Sequence, residues 1–82
     1  SKNKIELTPD INVDSILEKM AKKYEDYEVS TIDGVKIMFE KEWVHLRKSN
    51  TEPIIRIYSE SRDMESADRL AKKIMQEIME LK

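Results

Sequence analysis

The apolar positions of this chain change period along its length. From Val13 they fall at Ile16, Leu17, Met20, Ala21 and Tyr24, one face of a helical repeat with Lys and Glu opposite. Asn12 precedes them as an N-cap whose side chain can accept an unpaired amide N–H. Asp14 stands in the first turn, where the helix dipole favours a carboxylate. The pattern predicts a helix over 13–25. The period then drops to two. Tyr27 to Ile32 is rich in β-branched and aromatic residues and runs into Asp33-Gly34. That pair predicts a two-residue hairpin turn, which needs positive φ. Val35, Ile37 and Phe39 alternate with Lys36, Met38 and Glu40; after a charged turn at Lys41-Glu42, Val44 and Leu46 alternate with Trp43, His45 and Arg47. Beyond 48–53, Ile55 and Ile57 alternate with Ile54, Arg56, Tyr58 and Glu60. A last helical stripe, Ala67, Leu70, Ala71, Ile74, Ile78 and Leu81, follows Asp63 as N-cap and ends near 81.

Four strands with one apolar face suit an antiparallel sheet covered on one side. Two amphipathic helices would supply the cover. The expected fold is α+β: a two-layer sandwich of a four-stranded, mainly antiparallel sheet with two helices on one face. Residues 1–11, with Ile5, Leu7, Ile11 and Pro9, read as an extended lead-in or linker to a single domain over 1–82.

Composition narrows the function. Seventeen acids against fifteen bases give a net charge of −2, whereas a general nucleic-acid binder usually carries a basic surplus. No nucleic-acid partner is expected. The longest apolar run is the three residues Ile37-Met38-Phe39, too short to cross a membrane, so no membrane partner is expected either. A charged start followed by an apolar segment is missing, so no secretory signal is expected. Cysteine is absent, which excludes thiolate metal sites and fits a cytoplasmic location. The lone histidine, His45, cannot form a His-pair metal site.

One loop carries the candidate chemistry: Arg47-Lys48-Ser49-Asn50-Thr51-Glu52-Pro53, followed by Arg56. Arg47 offers a planar fork of donors that matches two phosphate oxygens at once. Ser49 and Thr51 add hydroxyls and Asn50 an amide. A tight turn of small polar residues can also aim successive backbone N–H groups into one concavity. Pro53 fixes its own φ and holds Glu52 extended. By strand parity Arg56 shares a face with Arg47. Two readings stand: a phosphate or sulfate cradle, or a polar hairpin loop whose Ser, Asn and Thr merely satisfy their own turn.

The run Asp33-Gly-Val-Lys, then Trp43-Val-His-Leu-Arg-Lys-Ser-Asn-Thr-Glu-Pro, then Ile55-Arg-Ile-Tyr-Ser-Glu resembles the C-terminal domain of the α-D-phosphohexomutases. That family comprises phosphoglucomutases, phosphomannomutases and phosphoglucosamine mutases. Its pattern is Arg, any residue, Ser, Gly or Asn, Thr, usually Glu-Pro, and every position is filled. The resemblance implies one domain of a four-domain enzyme that interconverts hexose 1-phosphate and hexose 6-phosphate. In such enzymes a phosphoserine on the first domain donates its phosphoryl group, the second holds magnesium, the third reads the sugar, and the fourth grips the non-reacting phosphate. Carried onto this chain, the gripping residues are Arg47, Ser49, Asn50 and Thr51, with Lys48 and Arg56 adding field. The partners implied are a phosphosugar and the other domains of a parent chain. No catalytic residue and no cofactor are expected in this domain, and Mg²⁺ is expected through another one. Asn50, where many phosphoglucosamine mutases have glycine, favours a phosphomannomutase or phosphoglucomutase parent, with phosphoglucosamine mutase the other possibility.

Competing assignments are weaker. Ser49 has no histidine base in its loop, so it does not read as a nucleophile. His45 reads as a polar-face strand residue. Met38, Trp43 and Tyr58 share the face opposite the core, where base-stacking aromatics of an RNA-binding sheet would lie. Glu40, Glu60 and the net charge oppose that, and a contact surface for neighbouring domains explains the three better. The alternative to the phosphate grip is therefore a small α+β protein- or nucleic-acid-interaction module with no catalytic role.

Overall fold

A computed structural model describes residues 2–49 and 52–81. The elements run β1 (Lys2–Glu6), α1 (Val13–Lys23), β2 (Glu28–Ser30), β3 (Val35–Met38), β4 (Trp43–Lys48), β5 (Ile54–Glu60) and α2 (Met64–Leu81). All neighbouring strands are antiparallel in the order β1-β5-β4-β3-β2. The α+β sandwich is as expected, but the sheet has five strands instead of four. No helix among the described residues is long and apolar enough to cross a membrane.

The extra strand is the stretch read as a lead-in. Ile5 lies opposite Ile55 and Lys4 opposite Arg56. This turns Ile5 and Leu7 inward at 6% and 7% exposure. Two inward residues before a proline are too few to establish a period from sequence. Pairing with β5 satisfies the backbone that burial would otherwise leave unbonded. Lysines at 2 and 4 suit an edge, since charged side chains discourage a second chain from adding on.

The hairpin at Asp33-Gly34 forms with a longer turn than expected. Ser30 faces Lys36 and Val29 faces Ile37, whereas a two-residue turn would pair Ile32 with Val35. Gly34 alone among the described residues has positive φ, at 74°, so the turn cannot be the type that needs two such residues. The longer turn puts Val29 across from buried Ile37 and packs it on the core, keeping the hydrophobic parity of β2 and β3 in phase.

Both helix caps are as read. Asn12 Oδ1 accepts from the Ser15 amide at 3.1 Å, and Asp63 Oδ1 from the Ser66 amide at 2.7 Å. That second bond holds the Asp63 carboxyl below its ordinary range. Chain order also explains where α1 lies. β1 and β2 occupy opposite edges of the sheet, about 19 Å apart at about 4.8 Å per strand. The 11 residues of α1 span about 16 Å of that crossing. The helix therefore lies over the sheet and buries Ile16, Leu17 and Met20. α2 adds Leu70, Ala71, Ile74 and Ile78 against Val35, Ile37, Val44, Leu46, Ile55 and Ile57.

Polar pins set the helices. Buried Ser59 donates to the Ala67 carbonyl at 2.7 Å, joining β5 to α2. Tyr24 donates to Glu77 Oε1 at 2.6 Å while Lys23 lies 3.2 Å from the same oxygen, joining α1 to α2. Burial, reinforced by Glu77, pushes the Tyr24 hydroxyl far above its usual range and keeps it a donor. If β1 belongs to the fold, Ile5→Ala should lower the unfolding free energy by about 2–3 kcal/mol in urea melts. A loss below about 0.5 kcal/mol would mean that this strand adds little to the domain.

Candidate functional site

The face of the sheet away from the helices carries the candidate site at one end. Arg47 is on the rung of β4 one before its last and lies directly opposite Arg56 on β5, which in turn lies opposite Lys4 on β1. Three cations thus occupy one row across three strands. Like charges set directly opposite are destabilising in a sheet, so the row is an electrostatic cost unless an anion is nearby. Lys4 has Glu6 at 3.6 Å, and Arg47 Nη2 has Asp33 Oδ2 at 3.3 Å. The parity argument that put Arg47 and Arg56 on one face holds.

The loop beyond Arg47 is anchored on both arms. Ser49 donates its amide to the Ile54 carbonyl at 3.0 Å, which extends the β4–β5 ladder by one rung. The Ile54 amide reaches the Glu52 carbonyl at 2.8 Å across Pro53, a three-residue turn whose central φ proline already favours. Leu7 then donates to the Pro53 carbonyl at 2.7 Å, so the end of β1 holds the exit of the loop. Lys48 points to the helix side, where its Nζ lies 2.8 and 3.0 Å from the two Asp14 oxygens in the first turn of α1. Asn50 and Thr51, two of the four expected gripping residues, lie outside the described residues. Arg47 and Ser49 are described and sit at the base of the loop.

Sequence reasoning missed the groove beside this base. It has a volume of about 770 Å³ and is lined by Asp14, Glu18, Thr31, Asp33, Arg47 and Lys48, with Leu17, Ala21 and Val35 at its floor. Its far wall is the turn before β3. A Cβ on Gly34 would collide with the Leu46 carbonyl oxygen and lie 3.3 Å from Arg47 Cα. Glycine is therefore required twice, for its φ and for this approach. His45 Nε2 donates to the Asp33 carbonyl, tying the same turn to β4. The signal was in the sequence as Asp33-Gly34, but it pointed only to a hairpin.

The aromatics of the open face lie toward its other end. Trp43 is half-buried; its Nε1 donates to Glu60 at 3.0 Å, and Lys36 sits 4.6 Å from the ring centre. His45, Tyr58 and Lys2 form the next row toward the loop.

Residues 4–77 match the family described as phosphoglucomutase/phosphomannomutase, C-terminal domain. The chain belongs to that family. The match runs from β1 through the loop and most of α2, so it covers every element that holds the site. Among curated relatives, the chain is 41% identical over 75 residues to a phosphoglucosamine/phosphogalactosamine mutase of Sulfurisphaera tokodaii, covering 89% of this chain and 16% of that protein. It is 54% identical over 41 residues to a phosphoglucomutase/phosphomannomutase of Thermococcus kodakarensis, covering 50% and 9%. It is 38% identical over 48 residues to a phosphomannomutase of Methanocaldococcus jannaschii, covering 58% and 11%. The chain thus spans no more than about a sixth of the length of these relatives.

Because Gly34 lies against β4 beside Arg47, Gly34→Ala should destabilise the domain by about 2 kcal/mol or more. The largest amide shifts in an NMR comparison should fall at Asp33, Leu46 and Arg47. A stable variant with unchanged shifts there would contradict the packing of this turn.

Proposed function

We propose that this chain is the phosphate-gripping domain of a phosphohexomutase, and that Arg47, Ser49, Asn50 and Thr51 hold the phosphate that is not reacting. The observation that carries the reading is the base of the loop. Arg47 presents a guanidinium on the open sheet face, next to a second guanidinium, at the foot of a loop whose arms are hydrogen-bonded down. Such a foot is preorganised, so less side-chain and backbone freedom is lost when an anion arrives. The family match and relatives named as mutases of glucosamine, glucose and mannose phosphates support a hexose phosphate as the ligand.

The parent reaction interconverts hexose 1-phosphate and hexose 6-phosphate. Phosphoryl transfer needs a positioned donor, acceptor and metal. The donor serine, the magnesium and the sugar-reading loop belong to other domains in this reading. Among the described residues no three His, Asp or Glu side chains converge as a metal site requires. The chain's own part is to bind and orient. The sugar must turn round between half-reactions, so the grip meets a phosphate on C6 in one and on C1 in the other. A grip made of Arg47, Ser49, Asn50 and Thr51 touches phosphate oxygens alone and should not distinguish them.

An NMR titration of the 82-residue chain with glucose 1-phosphate, glucose 6-phosphate and glucose tests this. The two phosphates should give equal responses around residues 47–51, and glucose none. Affinity should be on the order of millimolar, about −4 kcal/mol, and should weaken as salt rises. A tenfold preference for one regioisomer would mean that the loop reads sugar as well. A sheet-wide response to RNA with none to phosphate would replace this reading with an interaction module.

Two variants sharpen the test. Arg47→Lys keeps the charge and loses the fork, so it should weaken binding several-fold more than Lys48→Ala. The Asp14 carboxylate already occupies the Lys48 ammonium, which lowers what that lysine can offer. The domain by itself should show no mutase turnover on any hexose phosphate, with or without magnesium and a bisphosphate activator.

A further inference from the structure

We propose that Asp33 is a positioning residue for the phosphate grip: its carboxylate holds the Arg47 guanidinium in the orientation from which the remaining N–H donors meet the anion. The proposal rests on the phosphate-grip reading above.

Three features bring the Asp33 turn to Arg47. Gly34 lets the turn backbone lie on β4 at Leu46 and Arg47, an approach no side chain would allow. His45, two residues before Arg47 on the same face, donates from Nε2 to the Asp33 carbonyl and fixes the turn from the other side. The Asp33 side chain then reaches Arg47 Nη2, with Oδ2 at 3.3 Å. Backbone approach, backbone hydrogen bond and side-chain ion pair fall on neighbouring residues of one strand.

An exposed arginine has many rotamers, and freezing them opposes binding. The Arg47 side chain is 49% exposed and stands across from Arg56, which repels it. Asp33 counters that repulsion and limits the rotamers before any ligand arrives. A guanidinium has five N–H donors, and a carboxylate on Nη2 leaves most of the fork open. On the opposite side of the strand Asp14 holds Lys48 in the same way, so the backbone between Arg47 and Ser49 is clamped from both faces.

The sign of one substitution separates this role from simple electrostatics. Removing a carboxylate beside an anion site strengthens anion binding if Coulomb's law is all that matters. Removing a positioning carboxylate weakens it.

The test is the phosphate titration of the 82-residue chain by NMR, with inorganic phosphate and glucose 6-phosphate as probes. Asp33→Ala should weaken both about fivefold, a cost in the range expected for re-ordering one arginine side chain. Asp33→Asn, which keeps an acceptor oxygen, should recover at least half of that loss on a logarithmic scale. Thermal melts should confirm that both variants are folded at the titration temperature. Asp26→Ala, which removes an exposed carboxylate in the turn after α1, should leave the affinity within twofold. In an Arg47→Gln background the Asp33→Ala effect should vanish, since a positioning residue acts through its partner. Binding by Asp33→Ala as tight as or tighter than the parent, with Arg47→Gln still defective, overturns the role of Asp33 and leaves the grip intact. No response of the parent chain to either probe overturns the grip itself.

Discussion

The ladder between β4 and β5 is the contact on which the rest of the molecule hangs. It runs from Trp43 opposite Glu60 to Lys48 opposite Ile55. β3 adds to one side of it and β1 to the other; α2 is pinned to it through Ser59. Its register has one acceptable value. Val44 and Leu46 must face the helices together with Ile55 and Ile57, all completely buried. A slip of one residue would turn Arg47 or Arg56 into that core, where an unpaired charge is very costly. The two arginines are therefore on the open face, and side by side, because the core demands it.

That constraint links folding to ligand chemistry. The loop is the closure of the same ladder, so whatever fixes the register also sets the position of Arg47 relative to Ser49. The cost is a row of three cations, Arg47, Arg56 and Lys4. Such repulsion is modest at an exposed site and screened by salt. The same row concentrates positive charge at the end of the sheet where the phosphate grip is proposed. Carboxylates from separate elements, Asp33 and Asp14, quieten two of the cations flanking the loop without occupying the loop itself.

Much of this was legible in the chain. Both helices and both caps follow from long apolar stripes behind a capping residue, and four strands follow from β-branched and alternating apolar residues that continue from one strand to the next on either side of recognisable turns. Arg47 and Arg56 could be placed on one face from parity alone. β1 was not legible: Ile5 and Leu7 before Pro9 make too short a pattern, and their burial depends on Ile55 across the strand. The length of the Asp33-Gly34 turn was misread for a related reason. The dipeptide is compatible with more than one turn, and the choice is made by Val29 packing opposite Ile37. The Asp33–Arg47 contact joins residues fourteen apart across that turn, so it depends on a turn geometry that the dipeptide leaves open.

The separation of core and site has a consequence for how the molecule can be dissected. None of Arg47, Lys48, Ser49, Asp33 or Arg56 belongs to the buried cluster. The core closes between α1, α2 and the inner sheet face, and the site is built on the outer rim of the central ladder. Exposed side chains on that rim can be changed with little effect on stability, outside Gly34, where backbone touches backbone. β1 serves both halves at once, since Ile5 and Leu7 are core while the Leu7 amide holds Pro53. A strand that looked like a lead-in is thus a place where a packing defect would also loosen the loop.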